Sequence, residues 1–220
     1  DVLQSSIRKT FQSMGYNEVI TYSFIDQSVA ELGKEENKKL IFVENPISQN
    51  MNVMRTSLLP SLLETLSYNI NQGSENIKIF EIGSVFRKNN SNKVDEKEVV
   101  GGLITGVEGK DNWSGSNKAM DFFDLKGNIE TVLPDSSKFT FKKGQVSYLH
   151  PGKTAFLYKA QTLVGYIGTV NPKLLDKFDI KSEVNFFEID INEISSNRSL
   201  KFKKFSRYPL AQRDLSFVVK

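Results

Sequence analysis

The stretch "IKIFEIGSVFRKNNSNKVDEKEV", residues 77–99, decides how the chain is read. β-Branched and aromatic residues fill 77–86, the composition of a strand. The strand runs out on Arg87, a polar loop follows over 87–97, and apolar residues resume as a second strand over 98–107. Strand, loop and strand imply an antiparallel hairpin. An arginine at a strand end is most often a solvated cation, paired here with Glu81 or a loop carboxylate. The sharper alternative is a group that grips a phosphate.

Working outward from the hairpin, Leu58, Leu62, Leu66 and Ile70 recur every fourth residue and predict a helix over 56–71, with Pro60 in its first turn. Leu3, Ile7, Phe11 and Met14 predict another over 1–14, stopped by Gly15. "NEVITYSF" (17–24) and "KLIFV" (39–43) read as strands, and Asp26 as the cap of a short helix over 27–32. "ENPISQN" (44–50) and "GKDNWSGSN" (109–117) are turn-rich. Beyond them lie a helix over 121–133, strands near 138–142, 154–159 and 162–168, a short helix over 171–178 and a strong strand over 184–191. Helices mixed with mostly antiparallel strands give an α+β fold, an antiparallel sheet flanked by helices. Composition turns basic near 197, which places a first domain at 1–200 and a linker with a new strand, "RDLSFVV" (213–219), in 201–220.

With 220 residues the chain is long enough for a substantial core, and 39% apolar against 25% charged residues is ordinary for a globular protein. It starts at Asp1 rather than Met and reads as a piece of a longer protein. Without an apolar run near 18 residues it predicts no membrane span. There is no cysteine, which removes thiol chemistry and cysteine-type zinc sites and fits a cytoplasmic protein. A lone histidine, His150, makes a metal cluster or a Ser-His-Asp triad a poor reading. A net charge of +3 does not describe a broadly basic nucleic-acid binder.

Six segments in order, "GYNEVITYSF", "NPISQNMNVMRTSLLPSLLETLSYNINQ", "IKIFEIGSVFR", "DFFDLKG", "LHPGKTA" and "YPLAQRDLSFVV", together resemble the β-subunit family of bacterial phenylalanyl-tRNA synthetases across the whole chain. The resemblance implies a class II synthetase-like domain, followed in 201–220 by the first strand of a truncated ferredoxin-like anticodon-binding domain. It implies a non-catalytic module paired with a catalytic α subunit in an (αβ)2 assembly. That assembly uses ATP and Mg2+ to load phenylalanine onto tRNA(Phe). In active class II enzymes the strand-end arginine is followed two residues later by glutamate; here the position is Asn89. Of the six arginines (8, 55, 87, 198, 207 and 213), none follows a glycine-rich turn at the start of a helix, where such enzymes carry a phosphate-binding arginine. Losing one charge-stabilising group costs about 100–1,000-fold in rate. The expectation is therefore no catalytic residue, no bound cofactor and no metal in this stretch, with Arg87 vestigial. An eroded adenylate-forming ligase and a stand-alone tRNA-binding module are the alternatives.

Candidate contacts with a partner subunit or tRNA are Arg55, which precedes a helix and gains nothing from its dipole, and Leu3, Ile7 and Phe11, which suit a core as well as a partner. Lys203, Lys204 and Arg207, interleaved with aromatics, suit RNA phosphates and bases or a solvated linker. Asp121 and Asp124 read as an N-cap and a first-turn acid rather than a metal pair. His150 reads as a turn residue before Pro151.

Overall fold

The computed structural model describes residues 2–32, 39–88, 93–107, 118–194 and 216–218. The predicted hairpin is its spine. Strand β5 (Ile77–Lys88) pairs antiparallel with β6 (Val94–Thr105), from Ile77 opposite Thr105 to Lys88 opposite Val94. Most of the predicted polar loop is therefore strand. Charge is no obstacle to backbone pairing at an exposed end, and Arg87 lies across from Asp95.

Around this hairpin a seven-stranded sheet forms in the order β1-β5-β6-β10-β9-β8-β7. Its other members are β1 (Asn17–Glu18), β7 (Phe139–Lys143), β8 (Leu149–Lys159), β9 (Thr162–Val170) and β10 (Asn185–Asp190). All neighbours run antiparallel except β1, which lies parallel to β5. Strand β10 thus sits in the middle, although it is the last of the described strands in sequence. Strand β8 starts five residues before its predicted start. The extra length is accommodated by a register shift between Leu149 and Thr154, and Pro151 lies inside that irregularity, where no ladder donor is required.

Helices cover both faces. On one, α1 (Val2–Ser13), α4 (Phe122–Val132) and α6 (Ile191–Ile194) enclose a core containing Phe11, Phe80, Leu125, Ile129 and Phe187. Phe11 stacks between Phe80 and Phe187, with ring centroids 4.9 and 5.3 Å away. On the other, α3 (Leu59–Asn71) and α5 (Pro172–Leu175) enclose Leu62, Leu66, Ile79, Leu103 and Phe186. Adjacent Phe186 and Phe187 enter opposite cores because side chains alternate along a strand. Gly102 on β6 makes room for this: a Cβ there would stand 2.8 Å from the Phe187 ring.

The segment predicted as one strand over 17–24 divides. It leaves the large sheet after β1, and its far end becomes β2 (Phe24–Ile25) in a separate sheet of order β2-β4-β3, with β3 at Ile41–Phe42 and β4 at Val53–Met54. Helix α2 (Gln27–Leu32) packs there through Ala30 beside Ile25 and Val53. Between β1 and β2 the local β-propensity yields to other bonds: the Thr21 side chain donates to Glu81 (2.7 Å), and the Ser23 carbonyl accepts from the Arg55 backbone N–H (3.0 Å).

Of the second predicted domain, only 216–218 is described; these residues are exposed and form no strand, which requires a pairing partner. The insert at 109–117 and the rest of 201–220 lie outside the described residues. Asp121 caps α4 as predicted. Its side chain accepts from Phe123 N and Asp124 N, and Asp124 accepts from Asp121 N. Bonding within the cap and to Lys118 holds the Asp124 carboxyl below its ordinary value, against the opposing effect of burial, the largest single influence. Asp121→Ala is expected to destabilise the chain by about 1 kcal/mol in equilibrium urea unfolding, the usual loss for a side-chain cap.

Candidate functional site

Residues 79, 81, 83, 85 and 87 of β5 face the α3 side of the sheet, as do Glu188 and Asp190 of β10 and Tyr166 of β9. Arg87 stands at the end of this face, as the sequence predicts, but its partner is not Glu81. Six residues along a strand span about 20 Å, beyond the reach of any pair of side chains folded onto the same strand. Arg87 instead turns across the sheet to Glu188, with Nη2 3.4 Å from Oε1, while its Nε lies 3.4 Å from the Thr56 carbonyl.

Glu188 is the centre of the site and is 2% exposed. Its Oε2 accepts from Ser57 Oγ and from Leu58 N, both at 2.8 Å. Its Oε1 accepts from Tyr166 Oη at 2.9 Å as well as from Arg87. Tyr166 therefore uses its only proton on Glu188, and Tyr148 Oη, 2.7 Å away, must be the donor between the two phenols. Burial first, then the Glu188 charge, pushes the Tyr166 phenol well above its ordinary value, so it remains a donor. Glu188 also places a negative charge before the N-terminus of α3, where the helix dipole favours it.

Beside this network is a cavity of about 260 Å³ lined by Arg87, Lys97, Tyr148, Phe156, Glu188 and Asp190, among others. Lys97 and Asp190 close against each other at 3.1 Å. Both acids in the lining are engaged by cations, and among the described residues no group of three or more His, Asp or Glu is gathered to hold a metal.

Arg55 lies inside the fold rather than on a contact surface, 2% exposed. Its Nη1 donates to Glu81 Oε1 and Thr21 Oγ1, both at 2.8 Å, and its Nε donates to the Ser84 carbonyl at 2.9 Å. The guanidinium lies over Gly83, where an added Cβ would meet Nη2 at 2.3 Å. The pull against the helix dipole that marks Arg55 in the sequence is thus answered internally, by a buried carboxylate. Ile7 and Phe11 are likewise core residues, and Leu3 is partly buried against the same core. Lys203, Lys204 and Arg207 lie outside the described residues. His150 is in β8, its Nδ1 accepting from Gly152 N at 3.1 Å.

The sequence reading does not single out Glu188, Tyr166 or Tyr148. One signal was present: an acid in the middle of "NFFEID" must be paired if that run is a buried strand. Which residues pair with it is set by strand order.

The chain resembles in fold two solved structures of a pyrrolysyl-tRNA synthetase from Desulfitobacterium hafniense, each with a TM-score of 0.65 and 15% identity over 87% of this chain and 66% of that one. The seven-stranded sheet with its arginine-bearing hairpin is accordingly a class II aminoacyl-tRNA synthetase-like fold. More specifically, the family model described as phenylalanyl tRNA synthetase beta chain CLM domain matches residues 1–191, and the chain belongs to that family. Curated relatives include the phenylalanine–tRNA ligase beta subunits of Syntrophus aciditrophicus (33% identical, 99% of this chain) and Pseudoalteromonas translucida (36% identical, 98% of this chain). That of Photorhabdus laumondii is 35% identical over 100% of this chain. The chain spans 28% of the length of each of these relatives.

Arg55→Met, which leaves Glu81 buried without its cation, is expected to cost about 3–5 kcal/mol in urea unfolding. The double variant Arg55→Met with Glu81→Leu is expected to recover most of that loss, since removing both charges removes the desolvation problem. Equal destabilisation by the single and double variants would contradict this account.

Proposed function

We propose that the chain is the non-catalytic, synthetase-like module of a phenylalanine–tRNA ligase β subunit. In this reading it pairs with the catalytic α subunit in an (αβ)2 assembly and supports the loading of phenylalanine onto tRNA(Phe), with release of AMP and pyrophosphate. ATP and Mg2+ belong to the whole enzyme, and neither is assigned to this chain.

The observation that carries the reading is the Arg87–Glu188 pair. Adenylate formation requires cations preorganised around a phosphate whose negative charge grows in the transition state. Here the strand-end arginine faces a buried carboxylate already fixed by Ser57, Leu58 N and Tyr166. A phosphate approaching Arg87 would meet Glu188 as a like charge. The cavity beside it is lined by aromatic and aliphatic side chains, and its carboxylates Glu188 and Asp190 are paired with Arg87 and Lys97. This lining supports the reading that a nucleoside triphosphate with its magnesium is not bound here. Membership of the β-chain family and the identities of the relatives support the subunit role.

The chain alone is expected to show no ATP–pyrophosphate exchange above background. Co-produced with the α subunit of the same source, it is expected to run as a stable complex in size exclusion with light scattering. Exchange by the isolated chain at a synthetase-like rate would favour the eroded-ligase alternative and overturn the proposal.

A further inference from the structure

Away from the Arg87 cavity, a larger hollow of about 590 Å³ opens between the segment joining β1 to β2, the loop around Asn50 and Met51, and the start of α3. Its rim is apolar. Ile20 is 92% exposed and Tyr22 70% exposed, the one β-branched and the other aromatic. Their neighbours turn the other way: Val19 packs against the core and Thr21 bonds to Glu81. Single exposed apolar residues are ordinary, but two that alternate on one extended segment beside a deep hollow make a patch.

Apart from Phe24, Ile25 and Met51, the rest of the lining is polar and includes two acids. Ser61, in the first turns of α3, is 3% exposed, and its Oγ has no hydrogen-bond partner. Asp26 and Glu64 both line the hollow, and none of the lining residues is a lysine or arginine. The Glu64 carboxyl is raised above its ordinary value, first by partial burial and then by the Asp26 charge. Asp26 already accepts from Ser28 N and Ser28 Oγ, so Glu64 and the Ser61 hydroxyl are the groups of the recess left for a donor or acceptor from outside, with the Asp26 charge beside them.

We infer that this hollow receives one basic side chain, an arginine or lysine, from a partner protein subunit, whose apolar residues flank that cation and cover Ile20 and Tyr22. The chemistry favours this occupant. A nucleic acid would bring phosphates towards Asp26 and Glu64. A bare metal ion would gather three or more acidic or histidine ligands, and no such group exists among the described residues. An arginine or lysine would pair with Glu64 in the field of Asp26 and offer a donor to Ser61, while its aliphatic stem suits the apolar Ile20 and Tyr22. Arginine against aromatic residues is also the composition of interface hot spots. The inference rests on the proposed subunit role, which supplies the partner as the catalytic subunit.

The test uses the full-length chain co-produced with the catalytic subunit. The pair's dissociation constant is measured by dilution in size exclusion with light scattering. Ile20→Asp and Glu64→Lys are each expected to weaken the pair at least tenfold, Ser61→Ala more modestly, and Lys181→Glu, an exposed charge change elsewhere, not at all. Because Ile20 and Glu64 are exposed positions, unchanged urea midpoints will show that the variants fold. If Ile20→Asp and Glu64→Lys pair as tightly as the parent, the inference is overturned and the subunit role stands. If the parent chain itself does not pair at micromolar concentration, both fall. If the chain alone self-associates and Ile20→Asp abolishes only that, a second copy occupies the hollow and the inference is likewise overturned.

Discussion

A carboxylate buried at the centre of a sheet must find donors or lose its charge, and Glu188 organises this molecule by finding them. It lies on the middle strand and draws bonds from the approach to α3, from β9 and from β5. Those contacts join residues 101 and 131 positions apart in sequence, as well as a neighbour 22 positions away. The helix that covers one face of the sheet is thereby tied at its N-terminal end to the strand beneath it. The same contacts set the charge around Arg87, which faces a fixed carboxylate rather than an open surface.

A second buried pair, Arg55 with Glu81, repeats the pattern at the junction of the two sheets. It ties β5 to the segment before α3 and to Thr21 in the β1–β2 connection. Both acids lie on the same face of the large sheet, and each is matched by one arginine. That face of the large sheet is furnished with internal salt bridges and tyrosines. The recess at Ser61 and Glu64 differs, because the Ser61 hydroxyl has no hydrogen-bond partner there.

Much of the architecture was legible in the residues because it depends on local periodicity. The four-residue spacing of Leu58, Leu62, Leu66 and Ile70 located α3, "DFFD" located the start of α4, and Asn171 with Pro172 located α5. Periodicity misled where long-range pairing decides. Over 17–24 a strand-like composition was divided between two sheets, and over 87–97 a polar composition was largely strand. The site was less legible than the fold. Arg55, Ile7 and Phe11 were reasonable contacts by residue type, yet all three are buried, and burial is a property of the packed chain. Arg87 pairs with Glu188, from a strand 101 positions away in the chain, rather than with Glu81 of its own strand.

The sequence by itself determined most of the element types, the α+β class and the hairpin that carries Arg87. Each of these depends on residues near one another in the chain. The tertiary structure alone decided that Glu188 stands opposite Arg87, that Arg55 pairs with Glu81, and that Ser61, Asp26 and Glu64 share a recess beneath Ile20 and Tyr22. Strand order brings the last of the described strands to the middle of the sheet, and no local pattern carries that information, because the pairing energy is shared among strands distant in sequence.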